Sequence, residues 1–196
     1  MTSKLLDTEA FPEKLYRIDD HVICGVAGIT SDANTLLEYA TKYALSYTYS
    51  YAEPIPVEQL VQKLCDLKQS YTQTGGLRPF GVGFLYAGWD KRDGFQLYNS
   101  DPSGNYGRWK ATCIGSKNQT AQSSLKQDYN EEMTLKEATT LALKVFVKTM
   151  EKSSLAGDKI ELMTLEKDEN NRVFSKLFSS HQIDILIREL GIFSHQ

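Results

Sequence analysis

The chain is short of several things that would each point to a function. Three cysteines in 196 residues, Cys24, Cys65 and Cys113, are widely spaced, odd in number and form no C-x-x-C. A disulfide framework and a thiolate zinc site are therefore not indicated, and reduced, buried thiols in an intracellular chain are expected. The three histidines, His21, His181 and His195, form no cluster with the cysteines in sequence, and neither a metal nor a cofactor is expected. Positive charge is not in excess: 22 Lys and Arg stand against 25 Asp and Glu, with no basic run. That balance offers no general attraction to nucleic acid or to an anionic membrane, and neither is expected as a partner. No apolar run reaches membrane-spanning length, and the opening MTSKLLDTEA has no long apolar core of the kind a signal peptide carries.

What is present is an ordinary globular composition, 41% hydrophobic and 24% charged, in a length that suits one domain. A single domain over residues 1–191 is expected, with 192–196 a short tail. EKLYRIDDHVICGVAG reads as strand, turn and strand, with the turn at Asp19 and Asp20. Ser31 or Asp32 is placed to cap a helix whose Leu36, Leu37, Ala40, Tyr43, Ala44 and Tyr47 share one face. The two prolines of EPIP end it. A second helix from about Val57 repeats Leu60, Val61, Leu64, Lys68 and Tyr71 and stops at Gly75 and Gly76.

From Phe80 the period becomes two, with Phe80, Val82, Phe84 and Tyr86 on one face and Gly81 and Gly83 baring the other. FQLYNS and RWKATCIG read as two further strands joined by DPSGNYG. A short polar helix follows over 117–128. A capping box of Thr134 with Glu137 then opens an amphipathic helix. IELMTLEKD and RVFSKLF read as a strand pair, and Ser179 with Gln182 caps a last helix. The order ββ, αα, βββ, αα, ββ, α predicts an α+β fold of two antiparallel sheets between helical layers.

Chemistry is harder to find. Ser103 and Lys110 straddle a hairpin turn with no histidine near, and Pro102 and Gly104 give that stretch a turn-forming reason to exist. His21 and Cys24 fall on opposite faces of a strand reading. Glu131 and Glu132 suit a helix start, where carboxylates meet the helix dipole favourably. The Gly81-x-Gly83 pattern lies within a strand and presents no helix amides to a phosphate. Tyr39, Tyr43, Tyr47, Tyr49 and Tyr51 have the spacing of core and interface residues. No catalytic residue is expected from these patterns.

YTQTGGLRPFGVGFLYAGWD, continuing through QLYNSDPSGNYGRWKATCIG, resembles an α-type subunit of the 20S proteasome core. EKLYRIDDHVICGVAGITSDA and EPIPVEQLVQKLCDLKQ extend the resemblance, which runs to about Leu190, and DPSGNYGRWKAT is similar to one α type in particular. The resemblance implies the four-layer α-β-β-α sandwich of N-terminal nucleophile hydrolases, agreeing with the order above. It also implies that the sandwich is incomplete at the amino terminus, since no gating tail, first helix or first two strands match here.

The function so implied is that of a non-catalytic structural subunit of the outer α ring, serving ubiquitin-dependent protein degradation in cytoplasm and nucleus. Its expected partners are neighbouring α subunits, a β subunit and the carboxy-terminal tails of regulatory particles. The alternative is a threonine hydrolase like the β-type relatives, with Thr2 exposed by methionine removal. Thr2, however, aligns after the second strand, whereas the catalytic threonine of active relatives begins the first. By resemblance, Lys14 with Gly28 and Ile29 matches the pocket between α subunits that receives an activator's terminal carboxylate. Thr74, Gly75, Gly76, Leu77 and Arg78 match the loop that narrows the axial opening; the same five residues also read as a helix C-terminal turn.

Overall fold

A computed structural model describes residues 13–150 and 157–190. The hairpin is there: β1 (Leu15–Asp19) pairs antiparallel with β2 (Val22–Gly28). α1 (Thr30–Tyr51) and α2 (Val57–Gln73) follow, then β3 (Val82–Asp90), β4 (Gly94–Ser100) and β5 (Tyr106–Trp109). Next come α3 (Asn118–Asp128) and α4 (Leu135–Thr149), the pair β6 (Met163–Lys167) and β7 (Val173–Leu177), and α5 (Ser180–Glu189). Strands β1 to β5 form one antiparallel sheet in sequence order, and β6 and β7 form a second. The element order expected from periodicity is the order found.

The two faces of the five-stranded sheet have different fates. Val82, Phe84 and Tyr86 of β3 and Tyr98 of β4 are buried against α1 and α2, in a cluster with Leu36, Leu60, Val61 and Leu64. Strand alternation sends Phe95, Leu97 and Trp109 to the other face. There they line a groove of about 830 Å³ shared with Leu162 to Leu165 around β6 and with Leu135, Ala138 and Ala142 of α4. Lys167 Nζ at the end of β6 lies 4.3 Å from the ring centre of Trp89 in β3, a contact between the two sheets. Behind β6, Leu143 of α4 joins Ile160 and the α5 residues Ile183 and Ile187 in a second cluster, while Ala121, Leu141 and Val145 tie α3 to α4. Helices, sheet, sheet and helices stack in the expected α-β-β-α order.

Local sequence rules account for most boundaries. The boxes at Thr134–Glu137 and Ser179–Gln182 are both formed, each cap accepting from the N3 amide and each N3 side chain accepting from the cap amide. The DPSG turn is held by Asp101, whose Oδ1 accepts from Ser103 N at 2.8 Å, Ser103 Oγ at 2.5 Å and Asn105 N at 3.2 Å. Gly104 has φ 88°, and a Cβ there would lie 2.5 Å from the Cys65 carbonyl, so the turn is seated on α2.

Several expectations are corrected. Neither Ser31 nor Asp32 caps α1: its N-cap is Ile29, with no side-chain cap bond, and both polar residues fall inside the first turn. β3 begins at Val82, although Phe80 is buried as its phase predicts. β5 ends at Trp109, short of the ATCIG that reads as strand. Cys24 and Cys65 are buried, but Cys113 is only partly so, its thiol directed at the Asn118 carbonyl and Gln122 Oε1.

Lys68 sits on the apolar face of α2 and is fully buried. Its ammonium donates to Ser100 Oγ at 2.9 Å and to the Val82 carbonyl at 3.3 Å, and lies 4.7 Å from the Phe84 ring centre. Burial pushes its pKa down to about 8, with Cys65 and Asp101 pulling it partly back. The unfolded chain therefore carries an extra proton between pH 8 and about 10.5, so folding gains stability as pH rises through that window. The full effect is on the order of 3 kcal/mol. The buried thiols oppose it, because Cys24 and Cys65 are pushed up to about 12 and about 11 and resist the ionisation that unfolding permits. Comparison of Cys65→Ala with Cys65→Ala/Lys68→Met removes the thiol that couples to Lys68 and cancels the contribution of Cys24: in urea unfolding, the stability of the chain with Lys68 minus that of the chain with Met should climb steadily above pH 8. A difference independent of pH would contradict this.

Candidate functional site

The residues singled out by sequence converge on one end of the five-stranded sheet. Lys14 immediately precedes β1 and is exposed. Its carbonyl accepts from Val26 N at 3.0 Å, and its amide donates to Glu161 Oε2 at 2.8 Å. The Leu15 amide donates to the same oxygen at 3.0 Å. The backbone is thus fixed on both sides, while among the described residues no carboxylate pairs with Lys14 Nζ. Gly28 ends β2 two residues beyond Val26, which offsets it from Lys14 by about 7 Å along the strand direction. Ile29, the N-cap of α1, is an exposed apolar side chain, 46% accessible.

Gly28 is glycine for a visible reason. Its φ is 134°, and a Cβ would lie 2.2 Å from the Gly81 carbonyl and 2.9 Å from Val82 Cα. β2 and β3 therefore approach more closely here than any side chain permits. The contact is closed by the Ile29 amide, which donates to the Gly81 carbonyl at 2.9 Å.

Thr74 to Arg78 form the second candidate. α2 ends at Gln73, and the Thr74 amide and hydroxyl both donate to the Ser70 carbonyl, at 3.1 and 2.9 Å. Gly76 takes φ 83°, the left-handed turn that the helix-end reading requires, and neither Gly75 nor Gly76 has an atom within 4 Å of a built Cβ. Leu77 is 49% exposed. Thr74 to Arg78 are all exposed, but the C-terminal end is tethered: Arg78 makes a two-pronged bond to Asp32, Nη1 to Oδ2 at 2.6 Å and Nη2 to Oδ1 at 2.9 Å. Gly81 N also donates to Asp32 Oδ2 at 2.9 Å. Arg78 and the Gly81 amide hold the Asp32 carboxyl below its usual pKa, against the opposing effect of burial.

Asp32 is the site residue that sequence reading misassigned as a cap, since 46 positions separate it from Arg78 and nothing local signals the pairing. The alternative chemistries dissolve. Ser103 is spent on Asp101, and Lys110 pairs with Glu131 instead. His21 is buried, and its Nε2 lies 2.7 Å from the Ile55 carbonyl. Among the described residues no cluster of three His, Cys, Asp or Glu could hold a metal ion. Thr2 and the tail 192–196 lie outside the described residues.

Comparison with known proteins gives a consistent result. The sequence model of the family described as "Proteasome subunit" matches residues 1–165. Proteasome subunit alpha type-4 of Petunia hybrida is 64% identical over 192 residues, which is 98% of this chain and 77% of that protein. Proteasome subunit alpha type-4 of Spinacia oleracea is 57% identical over the same shares, and alpha type-4-A of Arabidopsis thaliana 56%.

Proposed function

The chain belongs to the proteasome subunit family, and on that premise we propose that it is a non-catalytic structural subunit of the outer α ring of the 20S core. The observation that carries this reading is likeness to α type-4 subunits across nearly the whole chain, at 56 to 64% identity. The α+β sandwich, with its helices outside two sheets, is the fold this family uses. Its partners are other proteasome subunits, the α neighbours on either side and a β subunit below. The end of the five-stranded sheet where β1 and β3 start and β2 ends supports the finer part of the reading. There Lys14, Gly28 and Ile29 receive the terminal carboxylate of a regulatory-particle tail, and Thr74 to Arg78 border the axial opening. The setting is ubiquitin-dependent protein degradation in cytoplasm and nucleus.

The competing reading, a threonine hydrolase acting through Thr2, is not favoured, because the relatives this chain resembles are α types. Purified chain should therefore not turn over fluorogenic peptides. Turnover that disappears in Thr2→Ala would overturn the non-catalytic assignment.

A further inference from the structure

Five tyrosines crowd the second half of α1, and the function proposed above uses none of them. Tyr39, Tyr43, Tyr47 and Tyr51 recur every four residues, which sets them in a row along the helix, whereas Tyr49 stands off that row. The row is uneven. The Tyr47 and Tyr51 ring centres are 4.5 Å apart with their planes tilted by 38°, so the two rings are in direct contact. Tyr39 and Tyr43 are nearly parallel, at 6°, but their centres are 6.4 Å apart. Tyr49 is 94% exposed, and among the described residues no ring pairs with it. Charge divides the row further. Lys63 Nζ lies 5.4 Å from the Tyr43 ring centre, and a cation over a ring makes an electron harder to remove from it. At the other end, desolvation and then the Glu53 carboxylate raise the pKa of the Tyr47 phenol. That phenol keeps its proton at neutral pH, and the anion acting on it favours loss of an electron and a proton together. No Lys or Arg lies between Tyr43 and Lys63 in sequence to offset that carboxylate.

We propose that Tyr47 and Tyr51 form an oxidative coupling site, at which a one-electron oxidant joins the two rings into an intrachain dityrosine that staples the last turn of α1. Each phenol gives up one electron and one proton and becomes a phenoxyl radical. The two radicals couple through a bond between ring carbons ortho to the oxygens, and the hydrogen left on each of those carbons moves to an oxygen, restoring both phenols. The chain loses two hydrogen atoms in all. With hydrogen peroxide as the terminal oxidant and a haem peroxidase as the one-electron carrier, the two electrons and two protons convert one peroxide to two waters. The staple lies beside the bond that closes the helix, from the Ala52 amide to the Thr48 carbonyl at 2.8 Å. Ala52 takes a left-handed φ of 54° there, and Pro54 follows, so the end of α1 is where fraying starts. The coupling needs no other subunit.

The test treats dilute, purified full-length chain with hydrogen peroxide and a haem peroxidase, followed by trypsin and mass spectrometry. Cleavage after Lys42 and Lys63 leaves Tyr43, Tyr47, Tyr49 and Tyr51 on one fragment and Tyr39 on another, so the possible products separate by mass. The parent should yield the 43–63 fragment lighter by two hydrogen atoms, with dityrosine fluorescence and with no fragment ions from backbone breaks between Tyr47 and Tyr51. Tyr47→Phe and Tyr51→Phe should each lose that product, and Tyr49→Phe should keep it. In the coupled parent, the Ala52 amide should exchange with deuterium more slowly than before oxidation. A product set by exposure instead of ring contact would overturn the proposal: chain dimers joined through Tyr49 as the main species, or a light 43–63 fragment that persists in Tyr51→Phe. Joining of the two fragments through Tyr39 and Tyr43 in preference to coupling within 43–63 would overturn it as well. Should Tyr47→Phe not fold, Tyr51→Phe decides the matter, because Tyr51 is 66% exposed and lies outside the core.

Discussion

In an assembled particle, replacing Lys14 with alanine is expected to weaken binding of a free-carboxylate tail peptide at this pocket by roughly ten- to a hundredfold. A charge-assisted hydrogen bond to a terminal carboxylate in a partly desolvated groove contributes about 1.5 to 3 kcal/mol, and each 1.4 kcal/mol is about a factor of ten. Two contacts support the proposed role. The Lys14 backbone is pinned by Val26 and by Glu161, so the ammonium is presented from a fixed origin. Glu161 spends one carboxylate oxygen on two backbone amides, Lys14 and Leu15, which keeps a nearby anion occupied. An amidated peptide offers no carboxylate charge, so its binding should barely change in the variant. Equal losses for both peptides would assign Lys14 to general packing, and no loss for either would return it to the solvent.

The second large effect is expected at Gly28. Alanine there must adopt φ near 134° and place its Cβ 2.2 Å from a backbone carbonyl that is itself bonded to Ile29, so no flexible side chain can yield. Backbone strain of this kind costs about 1–3 kcal/mol, and opening the β2–β3 contact adds to it, giving a loss of about 3 kcal/mol overall. At this chain length that lowers the melting temperature by roughly 6–12 °C. Gly75→Ala is the matched control. A Cβ at Gly75 meets nothing within 4 Å and its φ is not positive, so the change should fall within about 0.5 kcal/mol of parent. Thermal melts of the three chains check both statements. Equal melting of Gly28→Ala and parent would show that β2 and β3 can separate at no cost.

Sequence periodicity carried the architecture a long way, for physical reasons that differ by element. The helix faces were legible because burial on one side of a 3.6-residue repeat leaves a pattern, even where a charge interrupts it: Lys68 fell in phase with Leu60, Val61 and Leu64, and it is buried with them. Both capping boxes were legible because the partners lie three residues apart. The end of β5 was not legible. RWKATCIG alternates well enough, but pairing with β4 ends at Leu97 and Trp109, and a strand without a partner is not a strand.

The candidate site divides in the same way. Lys14, Gly28, Ile29 and the loop Thr74 to Arg78 were reachable only through resemblance, since an exposed lysine and a glycine turn carry no chemical signature of their own. What resemblance did not supply was Asp32. It looks like a helix cap because it stands in the first turn of α1, and it serves instead as the acceptor for Arg78 and Gly81. The competition was between a local backbone partner and a guanidinium brought in by the tertiary fold. The charged, two-pronged pairing won.

Membership of the α ring is most directly tested by native mass spectrometry of affinity-tagged chain purified from its source cells. The account predicts a particle whose mass and dissociation products include other α and β subunits, with one copy of this chain in each α ring. Recovery of the tagged chain only as a monomer or self-aggregate, free of other proteasome subunits, would contradict it.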